Sequence, residues 1–386
     1  MDQGTIQILF SLLRSAIRGT VLTEEEQRLY SKERLAELLQ ISSRHDLSHL
    51  VAYGLQQNRL ADEEKANIEK CIFKAVFREQ RTKYEYERLC ATLERAQIPF
   101  LPLKGSVIRS YYPEEWMRTS CDIDVLVQPK DLESASSALM GECGYTRHEK
   151  GSHDVSFFTP SNIHVELHYN LVEDGIANKS SAVLTSVWST ATVKEGFTSF
   201  YEMPDEMYYF YHVAHMAKHF ENGGCGIRPF IDLAILDHLE NADSDARDSL
   251  LNQGGLLKFA SAARKLSRVW FEAEAHDALS RQMECYILGG GVYGNDENRV
   301  AVQQQKKGGR MRYVLSRIFL PYREIKFHYP ILQKHPILTP VMQVRRWFKI
   351  AFCGGARRAA RELSYNQSLS AKEADVMKRF LEDVGL

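Results

Sequence analysis

The chain of 386 residues lacks several features that mark extracellular or membrane proteins. Its seven cysteines are scattered, and no two of them form a C-x-x-C pair, so neither a disulfide framework nor a thiol metal motif is expected. No stretch approaches the roughly 18 uninterrupted apolar residues that a membrane-spanning helix needs. The N-terminal residues also lack the basic start and the cleavage site of a secretion signal. We therefore expect reduced thiols, no membrane span and a cytoplasmic protein.

The net charge is only −1, because 49 Lys and Arg nearly balance 50 Asp and Glu. The whole molecule therefore has no bulk attraction for nucleic acids or acidic lipids. The distribution is uneven, however: residues 301–360 hold 13 Lys or Arg and one acid, Glu324, which gives this region a net charge of +12. Such a region can bind an anionic partner or pack against the acidic remainder of its own chain, and composition leaves both open.

Hydrophobic periodicity divides the chain into four predicted regions. Residues 1–97 form an N-terminal helical region, 98–200 an α/β palm, 201–300 a helical domain and 301–386 a basic helical C-terminal region. Repeated glycines at 289–294 predict a flexible joint before the basic region. The predicted fold class is α+β, a small mixed sheet flanked by helical regions at both ends.

The sheet is predicted from residues 98–170, in the order strand, helix, strand, helix, strand, strand. Prolines favour an extended backbone at 98–103, and alternating apolar residues predict a strand at 121–127. Two further strands, at 155–159 and 163–168, are joined by a Pro-Ser-Asn turn and form a hairpin.

Paired carboxylates lie inside the second predicted strand. Alternation places Asp122 and Asp124 on one face of that strand. Two like charges this close are costly unless a cation lies between them, and Mg²⁺ prefers such oxygen ligands. Glu166 lies on the polar face of the last strand, so the three carboxylates converge if the two strands are neighbours.

A phosphate-binding segment is predicted upstream. Gly105 and Ser106 open a short helix after the first strand, where free amides and a positive dipole suit a phosphate. Lys104 and Arg118 can neutralise triphosphate oxygens. Each signal alone has a common structural explanation, and their combination in this order favours the functional one.

These residues resemble the nucleotidyltransferase superfamily with a palm of the DNA polymerase β type. The resemblance rests on Lys104, Gly105 and Ser106, then Arg118, the paired Asp122 and Asp124, and Glu166 in the sequence Val-Glu-Leu-His. It is strongest to a bacterial branch of uncharacterised nucleotidyltransferases, and the motifs cover residues 98–170.

The resemblance implies that two Mg²⁺ ions bind to Asp122, Asp124 and Glu166, and that Glu166 also steers the acceptor hydroxyl. Gly105 and Ser106 would bind the β- and γ-phosphates of an NTP, with Lys104 and Arg118 beside them. One departure is the gap of fifteen residues between Ser106 and Asp122, which is longer than usual in the superfamily. The extra loop, 111–118, contains Trp116, for which we favour a structural role over covering the base.

Other polar residues are weaker candidates. His212, His215 and His219 share one helix face, and packed polar groups explain them better than a metal site does. Asp232 is expected to pair locally, or to reach the acceptor pocket. His164 and His168 flank Glu166 and can act as a base, orient the carboxylate or serve as hydrogen-bonded rim residues.

Residues 345–349, Arg-Arg-Trp-Phe-Lys, interleave cations with aromatics near the C-terminus. This pattern suits nucleic-acid contact, a helix at a membrane interface with Trp347 and Phe348 at the headgroups, or a helix docked on its own protein. The sequence does not separate these three.

The sequence therefore favours a Mg²⁺-dependent enzyme that moves a nucleoside monophosphate from an NTP to an acceptor hydroxyl and releases pyrophosphate. The acceptor can be a small molecule or sugar, an RNA end or a protein, and the basic region modestly favours RNA. The alternatives are a catalytically weak nucleotide-binding module that acts through its helical surfaces, and a helical scaffold in which the paired acids are only a polar strand end.

Overall fold

The computed structural model describes residues 2–173, 178–352 and 356–386. Contacts divide the chain into two compact units. The first comprises Met1–Ala214 and Ile227–Glu284, and the second comprises His215–Gly226 and Cys285–Leu386. These units do not follow chain order, whereas the four predicted regions do, and the division into four regions stays a prediction.

Five helices open the first unit: α1 (Gln3–Arg18), α2 (Glu24–Arg28), α3 (Lys32–Arg44), α4 (Ser48–Gln57) and α5 (Lys65–Arg95). α2 begins with a capping box, in which the Thr23 side chain accepts from the Glu26 amide and the Glu26 carboxylate accepts from the Thr23 amide. The long helix α5 carries buried apolar residues toward its end, including Leu89 and Leu93. This face packs against the sheet that follows.

The palm alternates strands with short helices: β1 (Phe100–Pro102), α6 (Gly105–Ile108), β2 (Asp122–Val127), α7 (Leu132–Cys143), β3 (Thr146–Lys150), β4 (Asp154–Phe158) and β5 (His164–His168). The strands form one mixed sheet in the order β1-β2-β5-β4-β3. β2 and β5 are parallel, and the other neighbouring pairs are antiparallel. The α+β class with helical flanks and the β4–β5 hairpin are thereby confirmed.

The core of the palm lies on the face of the sheet that is opposite the carboxylates. Ile123 and Val125 of β2 and Val165 of β5 are fully buried in one cluster with Leu89 of α5 and Leu139 of α7. β-branched residues suit a pleated, buried surface, and their alternation leaves the intervening residues on the other face. The packing of the core therefore fixes which side chains face the site.

The remaining elements of the palm and of the following helical region are α8 (Lys179–Thr185), α9 (Val187–Thr190), β6 (Thr192–Val193), β7 (Tyr201–Glu202), α10 (Asp205–Phe220), α11 (Arg228–Leu236), α12 (Ser244–Gln253), α13 (Leu257–Glu272) and α14 (Ala278–Leu288). β6 and β7 pair as a small second sheet. α11 packs against α13, with Phe230 and Trp270 in an edge-on ring contact.

The second unit is helical: α15 (Asp296–Lys306), α16 (Arg310–Ile318), α17 (Tyr322–His328), α18 (Ile331–Lys334), α19 (Thr339–Phe352), α20 (Ala356–Ser368) and α21 (Ala371–Val384). The glycines that predict a joint instead make close backbone contact here. Gly294 has φ +71°, and a Cβ on it would overlap the Gly223 carbonyl, while the Asn295 amide donates to that same carbonyl. These glycines pack two backbone segments of the second unit together.

Six cysteines within the described residues carry free thiols, and Cys353 lies outside those residues. None of the helices that the structure describes is long and apolar enough to cross a membrane.

Candidate active site

The three predicted carboxylates lie on neighbouring parallel strands. In the register of β2 and β5, Asp122 is paired with His164 and Asp124 with Glu166. Asp124 is buried, whereas Asp122 and Glu166 are partly exposed. The structure thus brings Asp122, Asp124 and Glu166 together on one face of the palm sheet, as the sequence predicts if the two strands are neighbours.

The Lys104 side chain reaches into this cluster of acids. Its Nζ lies 2.7 Å from Asp124 Oδ1 and 3.8 Å from Glu166 Oε2. In this arrangement the ammonium supplies the positive charge that closely spaced carboxylates require. Lys104 therefore contacts the acidic residues directly, in addition to lying near the proposed position of the triphosphate.

The backbone of Lys104 has a conformation that glycine normally adopts. Its φ of +44° and ψ of −123° place a non-glycine residue in a strained region. Neighbouring groups hold it there: the Tyr208 hydroxyl and the amides of Val107 and Ile108 all donate to the Lys104 carbonyl. This turn is what sends the Lys104 ammonium toward Asp124.

The electrostatics of the cluster separate the two aspartates. Burial and the charge of Asp124 raise the pKa of Asp122 to about 6. Burial also opposes ionisation of Asp124, but the Lys104 charge and the hydrogen bond from His168 outweigh burial and lower its pKa. Asp124 therefore stays ionised, whereas the ionisation of Asp122 depends more strongly on a nearby cation.

Two histidines extend the set of possible metal ligands. His168 Nε2 lies 2.9 Å from Asp124 Oδ1 and 3.3 Å from Glu166 Oε2, and His164 Nδ1 lies 3.9 Å from Glu166 Oε1. Within the described parts of the chain, two groups of three residues could hold a metal ion. They are Asp122 with His164 and Glu166, and Asp124 with Glu166 and His168. Burial opposes a charge on His168, yet its hydrogen bonds to Asp124 and Glu166 outweigh burial and raise its pKa.

The Gly105–Ser106 segment forms a tight turn beside the acids. A Cβ on Gly105 would lie 3.2 Å from Ser120 Cβ, closer than an ordinary contact, so the turn has little room for a side chain. The Ser106 amide donates to the Leu103 carbonyl, which leaves the partly exposed Ser106 side chain as the better donor for a ligand. Arg109 braces the turn by donating to the Gly105 carbonyl and to Ser120 Oγ, both at 2.8 Å.

Arg118 lies behind this turn, in a buried ion pair. Its Nε and Nη2 donate to the two carboxylate oxygens of Asp232, at 2.8 and 2.9 Å, and Tyr112 donates to the same carboxylate at 2.7 Å. Burial would raise the pKa of Asp232, but Arg118 outweighs burial and lowers it. The guanidinium is thus committed to Asp232, which ties the predicted extra loop to α11 rather than pairing with a neighbour in sequence.

The structure shows the surroundings of Trp116 and of the three histidines. Trp116 makes edge-on contacts with Tyr53 and His49 of α4, as its predicted structural role requires. His212 is partly exposed, with Nε2 3.1 Å from the Pro229 carbonyl. In the second unit, His215 and His219 contact each other at 3.2 Å. None of these three histidines is in either candidate metal group found among the described residues.

A cavity of about 430 Å³ opens beside α6 in the first unit. Ser106 and Arg109 line it together with the aromatic rings of Tyr86, Tyr111 and Tyr208. Its volume falls in the range of small-molecule sites, and its lining combines these aromatic rings with several charged side chains. A molecule in this cavity would contact the Gly105–Ser106 turn through Ser106.

Sequence analysis did not find Arg109, Tyr208 or the Arg118–Asp232 pair as parts of this site. Arg109 and Tyr208 act through backbone carbonyls, which leave no signature in side-chain patterns. Ser106 lies in the four-residue helix α6 and Arg109 immediately follows that helix, and this proximity in sequence was the available signal.

The sheet, its helical flanks and the acidic cluster define a nucleotidyltransferase fold. Residues 31–272 match the family described as uncharacterised nucleotidyltransferase, and since this is well over half of the chain, the protein belongs to that family. No curated protein and no solved structure matches the chain. The family match extends well beyond residues 98–170 and includes α3 to α13.

Proposed function

We propose that the protein transfers a nucleoside monophosphate from an NTP to an acceptor hydroxyl in a reaction that depends on Mg²⁺. The observation that carries the proposal is the register of β2 and β5, which sets Asp124 beside Glu166 with Asp122 on the same face. In the reaction the acceptor oxygen attacks the α-phosphorus, the bond to the β-phosphate oxygen breaks, and pyrophosphate leaves with its electron pair.

The donor set suits a hard divalent cation. Carboxylate oxygens from Asp122, Asp124 and Glu166 converge, and the Lys104 ammonium already lies among them as a positive charge. A divalent cation held by these oxygens would lower the pKa of the attacking hydroxyl and offset the charge on the phosphates. Mg²⁺ is the proposed ion because carboxylate oxygens outnumber imidazole nitrogens in each candidate group.

The roles of the chain's own groups follow from their positions. Partly exposed Glu166 accepts the hydrogen bond of the acceptor hydroxyl and orients its oxygen. Lys104, 2.7 Å from Asp124, donates to triphosphate oxygens that come to lie over the acids. Ser106 and the Gly105 turn hold the β- and γ-phosphates, and Arg118 supports that turn from its pair with Asp232.

The cavity beside α6 is proposed to receive the ring system of a substrate, because aromatic side chains line part of it and Ser106 joins it to the turn. The acceptor remains one of three classes: a small molecule or sugar, an RNA end, or a protein. The proposed reaction is the same for each.

The test is transfer from each of the four α-labelled NTPs with Mg²⁺, in a lysate depleted of free nucleotides, with label sorted into RNA, protein and small molecules. Asp122→Asn removes a proposed metal ligand without removing the buried Asp124 charge. The matched control is Glu149→Gln, an exposed carboxylate on β3 of the same sheet.

We expect label in one fraction with the wild type and with Glu149→Gln, and its loss by about a thousandfold or more with Asp122→Asn. Mn²⁺ affinity, measured by electron paramagnetic resonance, should fall in the same variant. Transfer that survives Asp122→Asn would overturn the metal assignment. Binding of Mg-NTP without label in any fraction would favour the nucleotide-binding module instead.

A further inference from the structure

Helix α19 of the second unit exposes an apolar stripe along its length. The stripe consists of Val341, Val344, Phe348 and Phe352. Since each residue turns a helix by about 100°, these positions fall within about 80° of one another. Phe348 and Phe352 are 61% and 79% exposed, and their rings stack with centroids 6.0 Å apart.

Another side of α19 is fixed to its own unit. Trp347 Nε1 donates to the Ile318 carbonyl at 2.8 Å and its ring meets Phe319 edge-on, while Gln343 donates to the Leu320 carbonyl. Counted at about 100° per residue, Gln343 lies about 140° and Trp347 about 100° around the helix from Phe348. The sequence grouped Trp347 with Phe348, whereas the structure makes Trp347 an anchor and leaves Phe348 in solvent.

Helix α16 repeats this arrangement. Met311, Leu315 and Ile318 are exposed at spacings of four and three residues, and Tyr313, on the other side, is 2% exposed. Between the two helices further apolar side chains are exposed: Phe319, Tyr322, Ile331 and Ile337. Exposed apolar area on this scale marks an interaction surface in a folded protein.

Cations surround these stripes. Exposed basic residues of this part of the unit include Arg312, Arg323, Lys334, Arg345 and Lys349. The region 301–360 carries 13 basic residues and one acid in total. A partner that covers this surface must therefore accept apolar side chains and carry negative charge.

We propose that the α16 and α19 stripes bind the surface of an anionic lipid bilayer, with the stripes in the acyl boundary and the cations at the headgroups. Nucleic acid accounts for the cations and aromatics but offers no apolar environment to Val341, Val344 or Ile318. A second copy of the same surface would bring two strongly positive regions together. The proposal concerns the second unit alone and does not depend on the proposed reaction.

The test is sedimentation of the full chain with mixed phosphatidylglycerol–phosphatidylcholine vesicles and with pure phosphatidylcholine vesicles. We expect binding to the mixed vesicles and at least about tenfold weaker binding to the neutral ones. Val341→Ser with Phe348→Ser should weaken binding to mixed vesicles by at least about tenfold, and Arg345→Gln with Lys349→Gln should do so at low salt.

The matched control is Phe73→Ser with Phe77→Ser, a stacked and exposed pair on α5 of the first unit, which should bind like the wild type. Equal binding to neutral and anionic vesicles, or no binding to either, would overturn the proposal. Retention of single-stranded RNA but not of vesicles would favour a nucleic acid. A dimer in solution that Val341→Ser with Phe348→Ser dissociates would favour a second copy.

Discussion

Four arginines, two from each unit, illustrate two different roles of this residue type. In the first unit, Arg118 is 9% exposed and forms two hydrogen bonds with Asp232, and Arg247 is similarly buried against Asp205. In the second unit, Arg312 and Arg345 are exposed beside apolar side chains. Arginine therefore fixes backbone and loop positions at these two sites of the first unit, whereas at these two sites of the second unit it faces solvent.

This difference shows what a charge count can and cannot predict. The +12 region stands out in the sequence because its cations lack nearby acids, and the structure leaves many of them exposed. In the buried ion pairs of the first unit the positive and negative charges cancel, so a count of net charge does not reveal these pairs. Yet breaking a buried pair is costly, whereas an exposed pair contributes little.

The largest expected effect comes from breaking the buried pair. Asp232→Asn leaves the Arg118 guanidinium buried without its anion, and we expect the free energy of unfolding to fall by about 3–5 kcal/mol. Urea denaturation of the full chain measures this change. The same substitution in an exposed pair, Asp375→Asn beside Arg379 on α21, should cost less than about 0.5 kcal/mol.

A second variant separates the ion pair from general damage to the fold. Arg118→Met combined with Asp232→Leu removes both charges and should recover much of the lost stability, since an apolar pair can replace a buried ion pair. If Asp232→Asn and Asp375→Asn lower the free energy of unfolding equally, the contrast between the buried and the exposed ion pair is wrong.

The next effect is a pH dependence located in the first unit. His45 is fully buried, and neither of its ring nitrogens has a hydrogen-bond partner among the residues that the structure describes. Burial lowers its pKa to about 4. Between pH 6.5 and about 4, His45 takes a proton in the unfolded chain but not in the folded one. Stability should therefore fall as the pH falls through this range, by about 3 kcal/mol in total, and level off below it.

Denaturation midpoints measured across this pH range test the dependence. His45→Leu should flatten it, though only in part, because the pKa of His49 is lowered to about 4 as well, with the same sign. His148→Leu, at an exposed position on β3, should leave the dependence unchanged. An unchanged slope in His45→Leu would show that the buried imidazole is not its source.

Much of the palm could be predicted because its signals are local. Alternation in β2 and β5 fixes which side chains share a face, and the turn between β4 and β5 fixes their hairpin. Asp124 and Glu166 converge only if β2 and β5 are neighbours, and the pairing of these two strands shows that they are. The family match is consistent with this order of strands and acids.

Other parts of the site depend on contacts that no local pattern specifies. Arg118 and Asp232 are far apart in the chain and meet only because α11 packs beside the extra loop. Strand β3 was missed because its residues, Thr-Arg-His-Glu-Lys, are mostly exposed and show no apolar alternation. The strain at Lys104 is invisible in sequence, since lysine rarely adopts a positive φ.

The smallest expected effect concerns the backbone strain at Lys104, whose turn directs the ammonium toward Asp124. Lys104→Gly and Lys104→Ala both remove the ammonium, so a difference between them reports the backbone alone. With φ at +44°, the glycine variant should be more stable by about 1 kcal/mol in urea denaturation. At Lys130, where φ is not positive, the same two substitutions should show the reverse order, because glycine gains more freedom in the unfolded chain. If alanine is the more stable residue at both positions, the turn is not strained, and the Lys104 ammonium reaches Asp124 without a backbone cost.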